Sequence, residues 1–524
     1  MLYERARSQK PALELPATFL IAAAAPSRAL SHQRLACALT RACVASLSLH
    51  FTMTQPIPQP AGVPILGNIF DIQPSNTWAS LKKLSEQYGE IFQVKVFGHT
   101  IVFVASVALA QELCDEKRFR KYVGGPVVEI RDAVHDALFT AYDDEASWGI
   151  AHRIIAPKLQ PGEMALRFDE MRDTAYELFD VWKAQGEDVG GRSSVSPFKD
   201  LSRLNLEATT FTLFGVRLNC LSGPEHPMLK AMEDSTAEAV MRPTRPGILN
   251  TLLYRGKWKS SIKALRAYAA DVVKYRKEHP TDRQDVLAAM MNATDPETGK
   301  ALTESQVIDE VVSMPIGSST APCLLATAIY LLLKNPENIA KARGELDAIV
   351  GPGGEFKHEH LDQLRFVQGI LRESLRLSFA APGFNIEPIP SKDNTNSNSN
   401  NSKAPPVLLA GGKYQVAHNQ AMIIVMAGVN RDPAVFEDPL AFRPERMVGE
   451  AFEQLPPGAK KWFGNGKREC IGKHYAWQWS LLVLAMMLRD LDFEMENPDY
   501  KMEQDGWFNV RPIGFNVRVK ARVA

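Results

Sequence analysis

The chain has few cysteines. Six occur in 524 residues: Cys37, Cys43, Cys114, Cys220, Cys323 and Cys470. No C-x-x-C is present, which argues against a disulfide framework and against a zinc site of closely spaced ligands. So few cysteines in a long chain fit a reducing compartment. Neither charge sign is in excess: Lys+Arg and Asp+Glu are both 60. A neutral chain offers no electrostatic footprint for nucleic acid or for an anionic membrane. Internal repeats are absent, and no linker divides residues 53–524. The apolar run TFLIAAAA at 18–25 is far short of the about 20 residues that span a bilayer. No other segment is expected to reach that length. The expectation is therefore a cytoplasmic protein, with peripheral membrane contact allowed.

What is present is an ordinary globular composition, 45% apolar and 23% charged, enough for a sizeable core. Residues 1–52 differ from the rest. They carry six Lys/Arg against two acids and are rich in Ala and Ser. Three readings compete for them: a transit peptide, which would direct the protein to mitochondria, a signal peptide, or upstream translation outside the folded product. The last is favoured, because Met53 opens a normal domain. Residues 53–524 read as one large domain, mainly α with a smaller β portion. A helix is expected at 78–89 and a hairpin over 91–106, turning at Gly98-His99. Helical periodicity dominates 107–380, with loops at 122–128, 185–197, 241–256 and 292–302. A strand pair is expected in FNVRPIGFNVRVKARVA at the end. DNTNSNSNNS (393–402) reads as a polar low-complexity surface insertion.

The clearest helix starts at Thr303, where Thr303 and Gln306 form a capping box. Its apolar run extends to Lys334, so one helix over 303–334 should cross the domain at about 48 Å. Pro315 and Pro322 flank IGSST in its middle. Each removes a helical hydrogen bond, so a kink or widening is expected there.

One cysteine stands in unusual company. KWFGNGKRECIGKHYAWQW (461–479) surrounds Cys470 with Gly464, Gly466 and Gly472, and with Lys461, Lys467, Arg468 and Lys473. It precedes an apolar helix expected over 472–489. A helix N-terminus and nearby cations both favour a thiolate. A nucleophilic role would want a histidine partner, and His474 comes with no evident orienting group. A plain buried cysteine explains neither the glycines nor the cations.

The pattern F-x-x-G-x-R-x-C-x-G, here Phe463, Gly466, Arg468, Cys470 and Gly472, would arise by chance in on the order of one chain in ten thousand of this length. It resembles the cytochrome P450 family. The resemblance extends through PIPQP, YGEIF, DPETGKALT, YLLLKNP and FRPERM, over 53–524, and is nearest to the fatty-acid hydroxylase branch often fused to a reductase. It implies haem b, with Cys470 as the thiolate ligand of the iron. Phe463 would pack beside the sulfur, in a loop opened by Gly464 and Gly472. Arg468, Trp148 and His152 would serve the haem propionates. Glu373, Arg376 and Arg446 would form a buried charge cluster. Gly317, Ser319 and Thr320 would face bound oxygen. Ser319 stands where the branch carries an acid, and that departure bears on proton delivery. Phe139, Ile316, Ala380 and Ala381 would line an apolar substrate pocket. His99 and Phe103 stand where bacterial members of the branch clamp a fatty-acid carboxylate, so a neutral lipid or polyketide-like metabolite becomes an alternative substrate.

The chain stops after its last expected strand, so electrons from NADPH are expected through a separate reductase. That reductase would dock on the cations around Cys470 and on His152, Arg153 and Lys158. The leading reading is a monooxygenase acting on an apolar small molecule. A peroxide-dependent or rearranging enzyme and a non-catalytic haem sensor are the alternatives.

Overall fold

The capping box forms as the sequence requires. Thr303 is extended (φ −72°, ψ 158°), its hydroxyl accepts the Gln306 N–H at 3.3 Å, and the Gln306 side chain accepts the Thr303 N–H at 3.0 Å. The computed structural model describes residues 54–185, 193–390, 405–506 and 508–523. The expectations for 1–52 and for the insertion at 393–402 fall outside those residues. The helices that position the site are α1 (Ala146–Ile155), α2 (Pro197–Phe214), α3 (Glu304–Ser318), α4 (Thr320–Lys334), α5 (Arg365–Ser378) and α6 (Lys473–Asp490).

The single helix expected over 303–334 is two helices, α3 and α4, with Ser319 (φ −62°, ψ −8°) between them. The prolines account for the break. Pro322 has no N–H for the Ser318 carbonyl four residues back, and Pro315 has none for Val311. The kink was expected; the interruption of helical geometry at Ser319 corrects the continuous helix. Glu304–Lys334 is also long and apolar enough to cross a membrane, contrary to the expectation that nothing in the chain reaches that length. Most of α3 and α4 is nevertheless buried, with α4 packed on α2, α5 and α6.

The β portion is a five-stranded sheet in the order Ile91–Val96, His99–Val104, Met422–Val425, Gly383–Pro388, Phe119–Lys121. Only the pairing of His99–Val104 with Met422–Val425 is parallel. The hairpin turns at Phe97-Gly98, both at positive φ, one residue earlier than expected. At the C-terminus Val510–Ile513 and Val517–Ala521 are strands, but not partners. The first pairs with Glu503–Gly506, and the second lies between Leu491–Met495 and Ser193–Val195. Alternation marks a strand without naming its neighbour. Two expected loops are also shorter than thought. A helix already starts at Pro126, a residue suited to a first helical position, and most of 242–254 is helical, running into Arg255–Glu278.

Buried apolar side chains form two clusters, one among the helices and one around the five-stranded sheet. A cavity of about 780 Å³ is lined from both, by Ile316 and Ala321 of the helical cluster and by Phe103, Phe379 and Met426 of the sheet cluster. Thr303→Ala should cost about 1 kcal/mol, and Thr303→Ser almost nothing. The shift in urea midpoint between the two variants measures the cap.

Candidate functional site

The Cys470 loop is a tight hairpin. The Cys470 N–H donates to the Phe463 carbonyl at 2.8 Å and the Glu469 N–H to Gly466 at 2.9 Å. Gly464 and Gly466 sit at φ +82° and +61°, where a side chain would be strained. The loop delivers Cys470 to the start of α6. The cysteine is exposed, but the surface it exposes opens on the cavity. Phe463, Gly464 and Gly472 line the same wall.

The surrounding cations act differently from the sequence expectation. Lys467 pairs with Asp143 (2.9 Å), Lys473 with Glu469 (2.5 Å), and Lys461 donates to Asn465 (2.6 Å). Burial pushes the Cys470 thiol up, against a smaller lowering by the Gly472 backbone N–H and by Lys473. The protein alone therefore does not favour the thiolate. A positive ligand at sulfur would. The other cations assigned to a docking face are likewise engaged. Arg153 pairs with Asp295 and Glu297, Lys158 pairs with Glu163, and His152 lines the cavity.

Arg468 is nearly buried. Its Nη2 donates to the Ala141 carbonyl at 2.8 Å, while Nη1 has no hydrogen-bond partner among the described residues and lies 3.9 Å from Asp143. Burial holds its guanidinium down at about 10. Arg468 lies over the Trp148 ring at 5.0 Å, and Trp148 stacks on His152 at 4.9 Å. Burial, with Arg153 and Arg468, holds the His152 imidazole below its usual value. Sequence reasoning missed Lys121, on the strand Phe119–Lys121. Its Nζ donates to the Phe139 carbonyl at 2.5 Å, and burial beside Arg468 pushes it down to about 7. Nothing in RFRK distinguishes it from a surface lysine. Asp143 is the acid beside them, and Lys467 engages it at 2.9 Å.

Across the cavity lies the break between α3 and α4. Gly317 is exposed there, and a Cβ on it would meet nothing within 4 Å. Carbonyls around the break accept side-chain hydroxyls: Pro315 from Ser318 (3.2 Å), Ile316 from Ser319 (2.6 Å) and Gly317 from Thr320 (3.4 Å). Thr320 therefore does the plain job of satisfying a carbonyl while lining the cavity. Ser319 also accepts from Asn509 at 2.7 Å. Ser318 accepts from Asn205 and from Thr209, which in turn meets the Tyr475 hydroxyl at 3.0 Å. The two serines thus join separate networks. Phe139, Ile316, Ala380 and Ala381 all line the cavity; Phe139 packs edge-on to Phe508, and the Ala380 carbonyl also holds the Val510 N–H.

Glu373 and Arg376 are both fully buried on α5. Arg376 donates to Glu373 at 2.8 and 2.7 Å, and to the carbonyls of Asn430, Pro439 and Ala441. Arg446 completes the cluster with Nε 3.4 Å from Glu373. Losing one partner of such a pair strands the other at a cost of about 3–5 kcal/mol.

A second missed residue is Glu310 on α3, 2% exposed and lining the cavity. Its Oε1 accepts the Leu138 N–H at 2.8 Å, and burial pushes the carboxyl up to about 8, with Asp309 and Asp136 adding to the rise. The one signal in the sequence was an acid at i, i+3, i+7 and i+10 register with Ser313, Gly317 and Thr320. Unfolded, this carboxyl titrates near 4.5; folded, it keeps its proton to about 8. Its contribution to stability is complete below the unfolded value and is lost as pH rises through the folded one. Urea midpoints should therefore fall from pH 5 to pH 8 more steeply in wild type than in Glu310→Gln. Parallel profiles would contradict the assignment.

The chain matches the cytochrome P450 family model over residues 57–518. It is 36% identical over 480 residues to the bifunctional cytochrome P450/NADPH–P450 reductase ascE of Acremonium egyptiacum, covering 90% of this chain and 44% of that protein. A second bifunctional cytochrome P450/NADPH–P450 reductase, from Aspergillus oryzae, is 36% identical over 472 residues, 89% of this chain and 42% of its own. The self-sufficient cytochrome P450 monooxygenase CYP505E4 of Penicillium freii is 36% identical over 472 residues, 89% of this chain and 43% of its own. The chain spans less than half the length of these relatives. Matched by the family model over most of its length, the chain belongs to the cytochrome P450 family.

Proposed function

We propose that the protein is a haem-thiolate monooxygenase that oxidises an apolar small molecule with O₂ and electrons from NADPH. The observation that carries this is one cavity with Cys470 on one wall and Gly317 and Thr320 among its lining residues. The residues present fit haem b. Cys470 offers a lone sulfur on an open wall, and the unpartnered Nη1 of Arg468 and the Nζ of Lys121 suit the two carboxylates of a haem. Cys470 would hold the iron through its sulfur, with Phe463 against the sulfur and Trp148 and His152 beside Arg468. The bound haem would supply dioxygen activation, in which two electrons and two protons leave one oxygen atom in the product and one in water.

The chain's own residues exclude bulk water, orient the substrate and move protons. The apolar lining around Phe139, Ile316, Ala380 and Ala381 does the first two. Thr320, held by the Gly317 carbonyl, lines the cavity with a hydroxyl where a carboxylate would relay protons faster; Ser319, expected beside it, is not among the lining residues, and its hydroxyl is taken up by the Ile316 carbonyl and Asn509. His99 is exposed at the start of its strand, and Phe103 is stacked on Phe92 at 5.1 Å. Neither provides the persistent cation that holds a fatty-acid carboxylate. The electron donor is an NADPH reductase, an activity that the bifunctional relatives carry in the same protein. The acid missing at Ser319 supports a second reading, oxidation driven by peroxide without NADPH.

The reduced, CO-bound absorption spectrum should show the strongly red-shifted Soret band of a thiolate-ligated haem in wild type and lose it in Cys470→Ser. Absence of that band in wild type would sink the assignment. Ser319→Glu should raise the ratio of product formed to NADPH consumed in a reconstituted system. An unchanged ratio means that Ser319 does not limit proton delivery, and product formed with H₂O₂ alone at an equal rate favours the second reading.

A further inference from the structure

At the end beside the cysteine loop the cavity is lined by the cations Lys121 and Arg468 and by Asp143, which Lys467 engages. Along α3 its lining residues include Glu310, Ser313, Met314 and Gly317, at the three- and four-residue spacing of one helix face. Glu310 is the acid on that face. Its neighbour Asp309 is committed elsewhere, to Arg266 at 2.5 Å and His135 at 3.1 Å. Glu310 has no cationic partner among the described residues, and its one hydrogen bond, from the Leu138 N–H, uses Oε1.

We propose that Glu310 is the substrate's polar anchor: its second oxygen, Oε2, donates a hydrogen bond to a carbonyl or hydroxyl oxygen on an otherwise apolar molecule, and so fixes which carbon reaches Gly317. The inference rests on reading this cavity as the substrate chamber of an oxidising haem site. Donation by Oε2 requires the acid to be protonated, as its burial makes it up to about pH 8. The backbone N–H on Oε1 leaves the proton to the other oxygen. Seven residues of helix put the Glu310 and Gly317 backbones about 10 Å apart, so the oxidised carbon lies roughly that far from the anchored oxygen. Thr320 lies farther still, past the break at Ser319, so Glu310 is not placed to pass a proton to it directly. Leu138 precedes Phe139, so the carboxyl also holds the segment that presents this aromatic to the cavity.

Calorimetric titration of the holoenzyme with a matched series tests the anchor: dodecane, methyl decyl ketone, dodecanol, dodecylamine and dodecanoic acid. Among the polar members, wild type should bind the ketone and the alcohol more tightly than the amine or the acid. In Glu310→Leu the affinity for ketone relative to dodecane should fall at least about tenfold, because a buried carbonyl loses its donor. Glu310→Gln, whose amide can both accept from Leu138 and donate, should keep most of the preference. A purely structural role would weaken all probes alike and leave the ratio unchanged. An unchanged ratio in Glu310→Leu, or tightest binding of the amine or the acid by wild type, overturns the proposal. If Glu310→Leu does not fold, the wild-type ranking alone decides. The CO-bound band, recorded on the same preparations, separates failure of the anchor from failure of the haem reading: a normal band with no ketone preference rejects the anchor alone.

Discussion

All five N–H donors of the Arg376 guanidinium are used inside the protein: two on Glu373 and three on the carbonyls of Asn430, Pro439 and Ala441. A buried charge is tolerated only when it is paired and its remaining hydrogen bonds are met. That requirement fixes the path of the chain from 430 to 446 against α5. Glu373 extends the hold by accepting the Arg443 N–H at 3.0 Å. The Cys470 hairpin follows this fixed stretch, and so the cluster constrains the geometry of the cysteine without touching the cavity chemistry.

The opposite wall is governed by missing rather than filled hydrogen bonds. Two prolines within eight residues deprive Val311 and Ser318 of their helical partners. The hydroxyls of Ser318, Ser319 and Thr320 fold back on carbonyls one turn earlier and leave Gly317 bare to the cavity. Much of the polarity is thereby consumed locally. Charged groups line the chamber at two places: Lys121, Arg468 and Asp143 beside the cysteine loop, and Glu310 on α3. An apolar chamber with unlike polar ends can orient a ligand lengthwise, which an unmarked apolar chamber cannot.

Sequence reasoning worked where a local pattern carries its own physics. The Thr303–Gln306 cap needs only neighbouring residues and formed as read. The Cys470 motif is specific enough for spacing to identify it, while the Glu373–Arg376 pair followed only from the family resemblance, and the structure gathers Phe463, Trp148, His152 and Arg468 around one end of one cavity. Reasoning failed where the outcome depends on what packs from elsewhere. Alternation identified Val510–Ile513 and Val517–Ala521 as strands but could not name their partners. Cations next to Cys470 implied a thiolate, yet Asp143, Glu469 and Asn465 engage them, and burial acts the other way.

The sequence by itself determined the family, the mainly helical class and the place where prolines disturb the central helix, because those rest on spacing, caps and prolines within one stretch of chain. Only the tertiary structure decided the charge of the site. A side chain's ionisation depends on how much water and which charges surround it, and these come from distant segments. Lys121 near 7 and Glu310 near 8 are products of burial. In the sequence they were one more lysine and one more glutamate.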